Sequence, residues 1–90
     1  MAVVERAARV VNPLGLHARP AAEFVKTASR FRAEVSVRKD EDFVNGKSIL
    51  GVMTIAAEFG STLTIRAEGD DAEAAVAALV ELVDRGFNDL

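Results

Sequence analysis

Residues 61–86, STLTIRAEGDDAEAAVAALVELVDRG, decide the fold, because the hydrophobic period changes inside them. Over 61–68 the apolar residues Leu63, Ile65 and Ala67 alternate with polar ones, which predicts a strand with one buried face. Gly69, Asp70 and Asp71 supply turn chemistry. From Ala72 the spacing lengthens: Ala72, Val76, Leu79, Val80 and Val83 form one helical stripe, and Gly86 stands where a helix end takes a left-handed residue. A strand buried on one face and a helix with one apolar stripe need each other and leave the second sheet face to solvent.

Working outward, the same switch recurs. Residues 4–11 alternate, with Val4, Ala8 and Val10 on one side and Glu5 and Arg9 on the other, and end at Asn12-Pro13. From Ala18 the period is helical: Ala21, Phe24, Val25, Ala28 and Phe31 face one way, Glu23, Lys26 and Arg30 the other. Residues 33–39 form a strand with Val35 and Val37 inward, and Asp40-Glu41-Asp42 turns it into a short strand at Phe43-Val44. Two strands joined by so short a turn are antiparallel. Ser48 then opens the apolar run SILGVMTIAA. The order is β-α-β-β-α-β-α, an α+β class in which an antiparallel sheet carries its helices on one face. With no repeat or linker, residues 1–90 are expected to be one domain.

Composition narrows the chemistry. There is no cysteine, so thiolate metal sites, disulfides and cysteine nucleophiles are excluded, and with one histidine no metal site is expected. Glu5, Arg6 and Arg9 interrupt the apolar N-terminus, against a signal peptide or membrane insertion, and a cytoplasmic protein is expected. Charge is uneven: residues 1–45 carry Arg6, Arg9, Arg19, Lys26, Arg30, Arg32, Arg38 and Lys39 against six carboxylates, while residues 58–90 carry two cations against eight carboxylates. With a net charge of −3 and neither Trp nor Tyr to stack on bases, the basic half suits an acidic protein surface or a small anion, not nucleic acid.

That half holds the only histidine, in GLHARPAAEFV at residues 15–25. Pro20 fits a helix only in its first turn, so the helix begins at residues 17–18 and His17 lies at or beside the N-cap. There the free backbone N–H groups and the macrodipole favour a bound anion by about 0.3–1 kcal/mol. Arg19 adds a guanidinium fork suited to phosphate oxygens, and Gly15 leaves the approach to the ring open. Neutral imidazole at such a place can take up a phosphoryl group and hand it on. A lone histidine beside a lone arginine is more often an indifferent capping residue next to a solvated charge, so on the residues alone phosphoryl chemistry is the minority reading. No G-x-S-x-G elbow supports a hydrolase.

NGKSILGVM at 45–53 is the second motif. It is not a phosphate-binding P-loop, which requires glycine where Glu41 stands. Asn45-Gly46 is a turn, and Ser48 is placed to cap the helix that follows. Ile49, Val52 and Met53 can share a core stripe, whereas Leu50 and Met53 fall on another, so part of this run is expected to stay exposed as a docking patch. Arg19, Lys26 and Arg30 lie on one helical face as a basic ridge.

GLHARPA at 15–21 with NGKSILGVM at 45–53 resembles the HPr family, the histidine phosphocarriers of the bacterial phosphoenolpyruvate-dependent sugar phosphotransferase system, and length and element order match from about residue 3 to 87. The resemblance implies an open-faced β-sandwich, a four-stranded antiparallel sheet covered on one face by three helices. It implies that His17 is phosphorylated on Nδ1 by enzyme I, with phosphoenolpyruvate as source, and passes the group to enzyme IIA domains of sugar permeases. Arg19 matches the active-site arginine, and the backbone of Ala18 and Arg19 would steady the phosphate. Ser48 matches a serine that an ATP-dependent kinase phosphorylates in some bacteria, which brings in a kinase/phosphorylase and transcription regulators as further partners. Arg19, Lys26, Arg30, Lys47, Ile49, Leu50 and Met53 would form the partner surface; at Leu50 the family commonly has methionine. Such a protein is a monomeric co-substrate without cofactor, not a stand-alone enzyme. A paralogue in a nitrogen-related phosphorelay fits NPLGLHARPA as well, and an interaction module with a vestigial His17 is the alternative from another class.

Overall fold

A computed structural model describes residues 2–89. Its elements are β1 (Val3–Arg9), α1 (Ala18–Ala28), β2 (Glu34–Arg38), β3 (Val44–Asn45), α2 (Ile49–Met53), β4 (Thr62–Glu68) and α3 (Ala72–Asp84), followed by one tight turn at Gly86–Asn88. The four strands form one antiparallel sheet in the order β1-β4-β2-β3. The last strand is thus central: Ile65 of β4 stands opposite Arg6 on one side and Val37 on the other.

The alternation predicted for 61–68 holds. Leu63, Ile65 and Ala67 are buried and meet Ala8, Val35 and Val37 on the same face. Onto that face α3 lays Ala72, Ala75, Val76, Leu79, Leu82 and Val83, with Val80 half-buried at the margin, and α1 contributes Ala21, Phe24 and Ala28. Full burial of each large side chain contributes about 1.5–3 kcal/mol, so this layer is the main source of stability. Thr62, Thr64, Arg66 and Glu68 alternate onto the other, uncovered face. The α+β class with three helices on a four-stranded antiparallel sheet is therefore observed.

The element ends differ from the sequence expectation: β2 is one residue shorter at each end than 33–39, and β3 is Val44–Asn45 instead of Phe43-Val44. The first helix stops at Ala28, so Arg30 lies in the turn beyond it, where its N–H bonds to the Thr27 carbonyl, and Phe31 is half-buried outside the helix. Only Ile49–Met53 of the run after Ser48 is helical, and Val52 is its sole buried residue; Ile49, assigned to a core stripe, is exposed because a five-residue helix touches the core once. Val10 is buried just beyond the end of β1, joined to the 60–61 loop by bonds in both directions. None of the described helices is long and apolar enough to cross a membrane.

Candidate functional site

The chain enters α1 through a loop whose shape the sequence imposes. Asn12, fully buried, donates from its side-chain amide to the Gly15 carbonyl at 2.7 Å, and the Gly15 N–H returns to the Asn12 carbonyl. Gly15 is left-handed, with φ of 67°, and sits against the backbone of Ala57 and Glu58; the Leu16 N–H then bonds to the Ala57 carbonyl at 2.9 Å. Two pinned loops thus deliver His17 to the N-cap of α1, as Pro20 in the first turn requires.

His17 has extended backbone angles, and its carbonyl accepts the first helical bond, from Ala21. Among the described residues no side chain caps the helix, and the N–H groups of Ala18 and Arg19 have no acceptor there; Pro20 has none to offer. The imidazole is 39 % exposed, and its Nε2 is 2.8 Å from Oδ2 of Asp89. Its Nδ1 has no hydrogen-bond partner among the described residues. Arg19, 77 % exposed, reaches within 3.7 Å of the other oxygen of Asp89, whose own side chain is 10 % exposed. The site is a partly open imidazole held on one nitrogen, with two amide donors that no described residue engages and a loosely held guanidinium around it.

Asp89 is the component that residue reading missed, and nothing in its local sequence marks it. It lies 72 positions from His17 and arrives there through the turn after α3. Gly86, Phe87 and Asn88 are successively left-handed, with φ of 73°, 57° and 61°. For phenylalanine that conformation costs about 1–2 kcal/mol, offset by burying its ring completely in the core. Arg85 binds Glu81 and the side-chain oxygen of Asn88, and Asn88 approaches Glu23 of α1 at 3.5 Å, so the turn is tied to both helices.

The remaining candidates fall in two groups. Ser48 is the N-cap of α2 and its Oγ accepts from the Gly51 N–H at 3.1 Å. Beside it Ile49, Leu50 and Met53 are exposed, Leu50 by 79 %, on a helix that lies against α1. By contrast Lys26 is two turns along α1, about 13 Å of helix rise from His17, and Arg30 is farther still. Lys47 is turned away: its Nζ donates to the Phe31 carbonyl at 2.7 Å, at the far end of α1. Leu14 and Phe59, which no sequence motif marks, are also exposed, on the two loops that meet at Gly15.

The chain is similar to known proteins over nearly its whole length. The family model described as the PTS HPr component phosphorylation site matches residues 4–85. The phosphocarrier protein HPr of Neisseria meningitidis serogroup A is 39 % identical over 87 residues, covering 97 % of this chain and 98 % of its own. A crystal structure of HPr-C-His from Thermoanaerobacter tengcongensis superposes with a TM-score of 0.90 at 45 % identity, over 97 % of this chain and 98 % of that one. An HPr dimer from the same organism gives 0.74 at 49 % identity, over 87 % and 90 %. With the helix N-terminus around His17, the four-stranded sheet behind it and these likenesses over nearly the whole chain, the protein belongs to the HPr family.

Proposed function

We propose that this chain is a phosphocarrier: His17 receives a phosphoryl group from enzyme I, charged by phosphoenolpyruvate, and delivers it to enzyme IIA domains in the cytoplasm. The observation that carries this is the state of the His17 ring, partly exposed at the helix N-terminus, where among the described residues Nδ1 and the amides of Ala18 and Arg19 have no partner. Those amides and Arg19 are the donors that a phosphoryl dianion needs, in a position where the helix dipole adds to them. It acts as a co-substrate, with the chemistry completed by each partner.

Its docking surface is the exposed apolar patch of Ile49, Leu50 and Met53, which α2 sets beside α1, with Arg19 and the more distant Lys26 and Arg30 steering acidic partners. Lys47 contributes through its backbone position at the start of α2, its ammonium being engaged. Ser48 is the regulatory point: a phosphate on its Oγ adds nearly two negative charges beside Leu50, which an acidic partner would meet as repulsion. A serine kinase/phosphorylase and transcription regulators are the partners that such a switch implies. Alternatively, the exposure of the α2 patch favours a binding module in which His17 is not used.

Incubation with phosphoenolpyruvate, magnesium and a bacterial enzyme I, followed by intact mass, separates the two. A phosphocarrier gains one acid-labile phosphoryl group that His17→Ala does not. No gain with several active enzymes I, with partner binding unchanged in His17→Ala, refutes it in favour of the binding module.

A further inference from the structure

We infer that Asp89 is a positioning residue for His17: by accepting a hydrogen bond from Nε2–H it holds the imidazole in one tautomer and presents the lone pair of Nδ1 as the nucleophile. This rests on the phosphocarrier proposal for its chemical purpose, but not for the tautomer itself. A carboxylate accepts only, so at 2.8 Å from Oδ2 the Nε2 atom must carry the proton. In a neutral ring the other nitrogen is then unprotonated, and Nδ1 has no other partner among the described residues.

The phosphoryl step balances on that basis without moving a proton. The Nδ1 lone pair forms the N–P bond as the donor's bond to phosphorus breaks, its electron pair leaving with the donor. The ring keeps its Nε2 proton and becomes a phosphoryl-imidazolium, whose positive charge faces the Asp89 carboxylate. On delivery the acceptor's nucleophile attacks phosphorus and the N–P pair returns to Nδ1, restoring the starting tautomer. Arg19 links the two states. It is well exposed and only loosely attached to Asp89 at 3.7 Å, so it is free to turn to the incoming phosphoryl oxygens while Asp89 keeps the ring.

The fold supports the assignment. Three successive left-handed residues, two of them not glycine, are an unfavourable way to end a helix, and random fraying would relieve them. They persist because Phe87 is fully buried and because Arg85 and Asn88 tether the turn to Glu81 and Glu23. Their product is the placement of one nearly buried carboxylate against one imidazole nitrogen.

The test compares the full chain with Asp89→Asn and Asp89→Ala. Asparagine keeps an acceptor oxygen without the charge; alanine keeps neither. On 15N-labelled protein, the wild type and Asp89→Asn are expected to show a protonated Nε2 and an unprotonated Nδ1. In Asp89→Ala the two resonances converge toward a tautomer mixture. Phosphoryl uptake from enzyme I is expected to fall on the order of tenfold in Asp89→Ala, a modest loss for a partly exposed orienting pair, and less in Asp89→Asn. Identical tautomers in the wild type and Asp89→Ala overturn the assignment. Uptake that is absent already in the wild type, with the tautomer shift present, instead overturns the phosphocarrier proposal and leaves the role of Asp89 standing.

Discussion

Replacing Gly15 by alanine tests whether the two loops that meet behind His17 set the site. Gly15 has φ of 67°, a left-handed conformation that costs an alanine about 1–2 kcal/mol. The added Cβ would also lie 2.4 Å from the Ala57 carbonyl oxygen and 3.0 Å from the Glu58 Cα. Both are backbone atoms, so no rotamer change relieves the contact, and the loops must part by about 0.6 Å before the Cβ reaches even the tight distance of 3.0 Å. That movement pulls on the adjoining 2.9 Å bond from the Leu16 N–H to the same carbonyl, worth about 0.5–1.5 kcal/mol. The sum is about 2–3 kcal/mol, or about 10–20 °C in melting temperature for a domain of this size. Gly60→Ala is the internal control: φ there is 88°, but the nearest atom to a Cβ is the Arg9 Nη2 at 3.9 Å, so only the backbone term applies. Thermal unfolding by circular dichroism is expected to rank Gly15→Ala below Gly60→Ala by about 1 kcal/mol or more. Leu16 precedes His17 directly, so phosphoryl uptake by folded Gly15→Ala is expected to fall as well. Equal melting temperatures for the two variants would refute the close-approach reasoning, and normal uptake in a destabilised Gly15→Ala would refute its link to the site.

Two further predictions concern parts of the fold away from the imidazole. Ser48→Ala removes the cap of α2 and is expected to destabilise by about 1 kcal/mol, whereas Ser48→Asp, which can still accept from the Gly51 N–H, stays close to wild-type stability; weakened enzyme I binding by Ser48→Asp alone in calorimetry then reports charge, and equal weakening by both variants contradicts this. Asp71 accepts from the backbone N–H groups of Arg32 and Ala33 at 2.8 Å, and chiefly the bond from Arg32 holds its carboxyl below the ordinary carboxylate range. Because the folded value is the lower one, its stabilisation is fully present above about pH 4, the unfolded value, and is lost as pH falls through the folded value. Melting curves from pH 7 to pH 2 are expected to show the gap between wild type and Asp71→Asn closing over that acid range; a gap that stays constant would be inconsistent with it.

How much of the site was legible depends on how far each residue acts through its neighbours in the chain. His17, Pro20 and Ser48 were legible because a proline in a first turn and a serine before an apolar run locate helix starts within one residue, and both N-caps stand where that logic put them. Arg30 and Lys47 show the opposite case, since their surroundings depend on contacts farther away. Helical spacing places Arg30 on a ridge only if α1 continues past Ala28, and the fate of the Lys47 ammonium depends on the Phe31 carbonyl, sixteen residues away. Ile49 carries the same lesson, since hydrophobicity marks a residue as fit for burial without telling whether so short a helix can turn it inward.

The sequence by itself determined the periods, and with them the number, type and order of the elements, the buried face of β4 and the stripe of α3, because these are written in residues two to four positions apart. Only the tertiary structure decided that β4 enters between β1 and β2, since strand order is a competition among long-range pairings that alternation alone does not rank. It also decided that the chain, after a glycine that reads as a plain helix stop, continues left-handed through a buried phenylalanine to set Asp89 on His17. A backbone angle unfavourable to Phe87 on local grounds becomes the stable one when a core site is waiting for its ring.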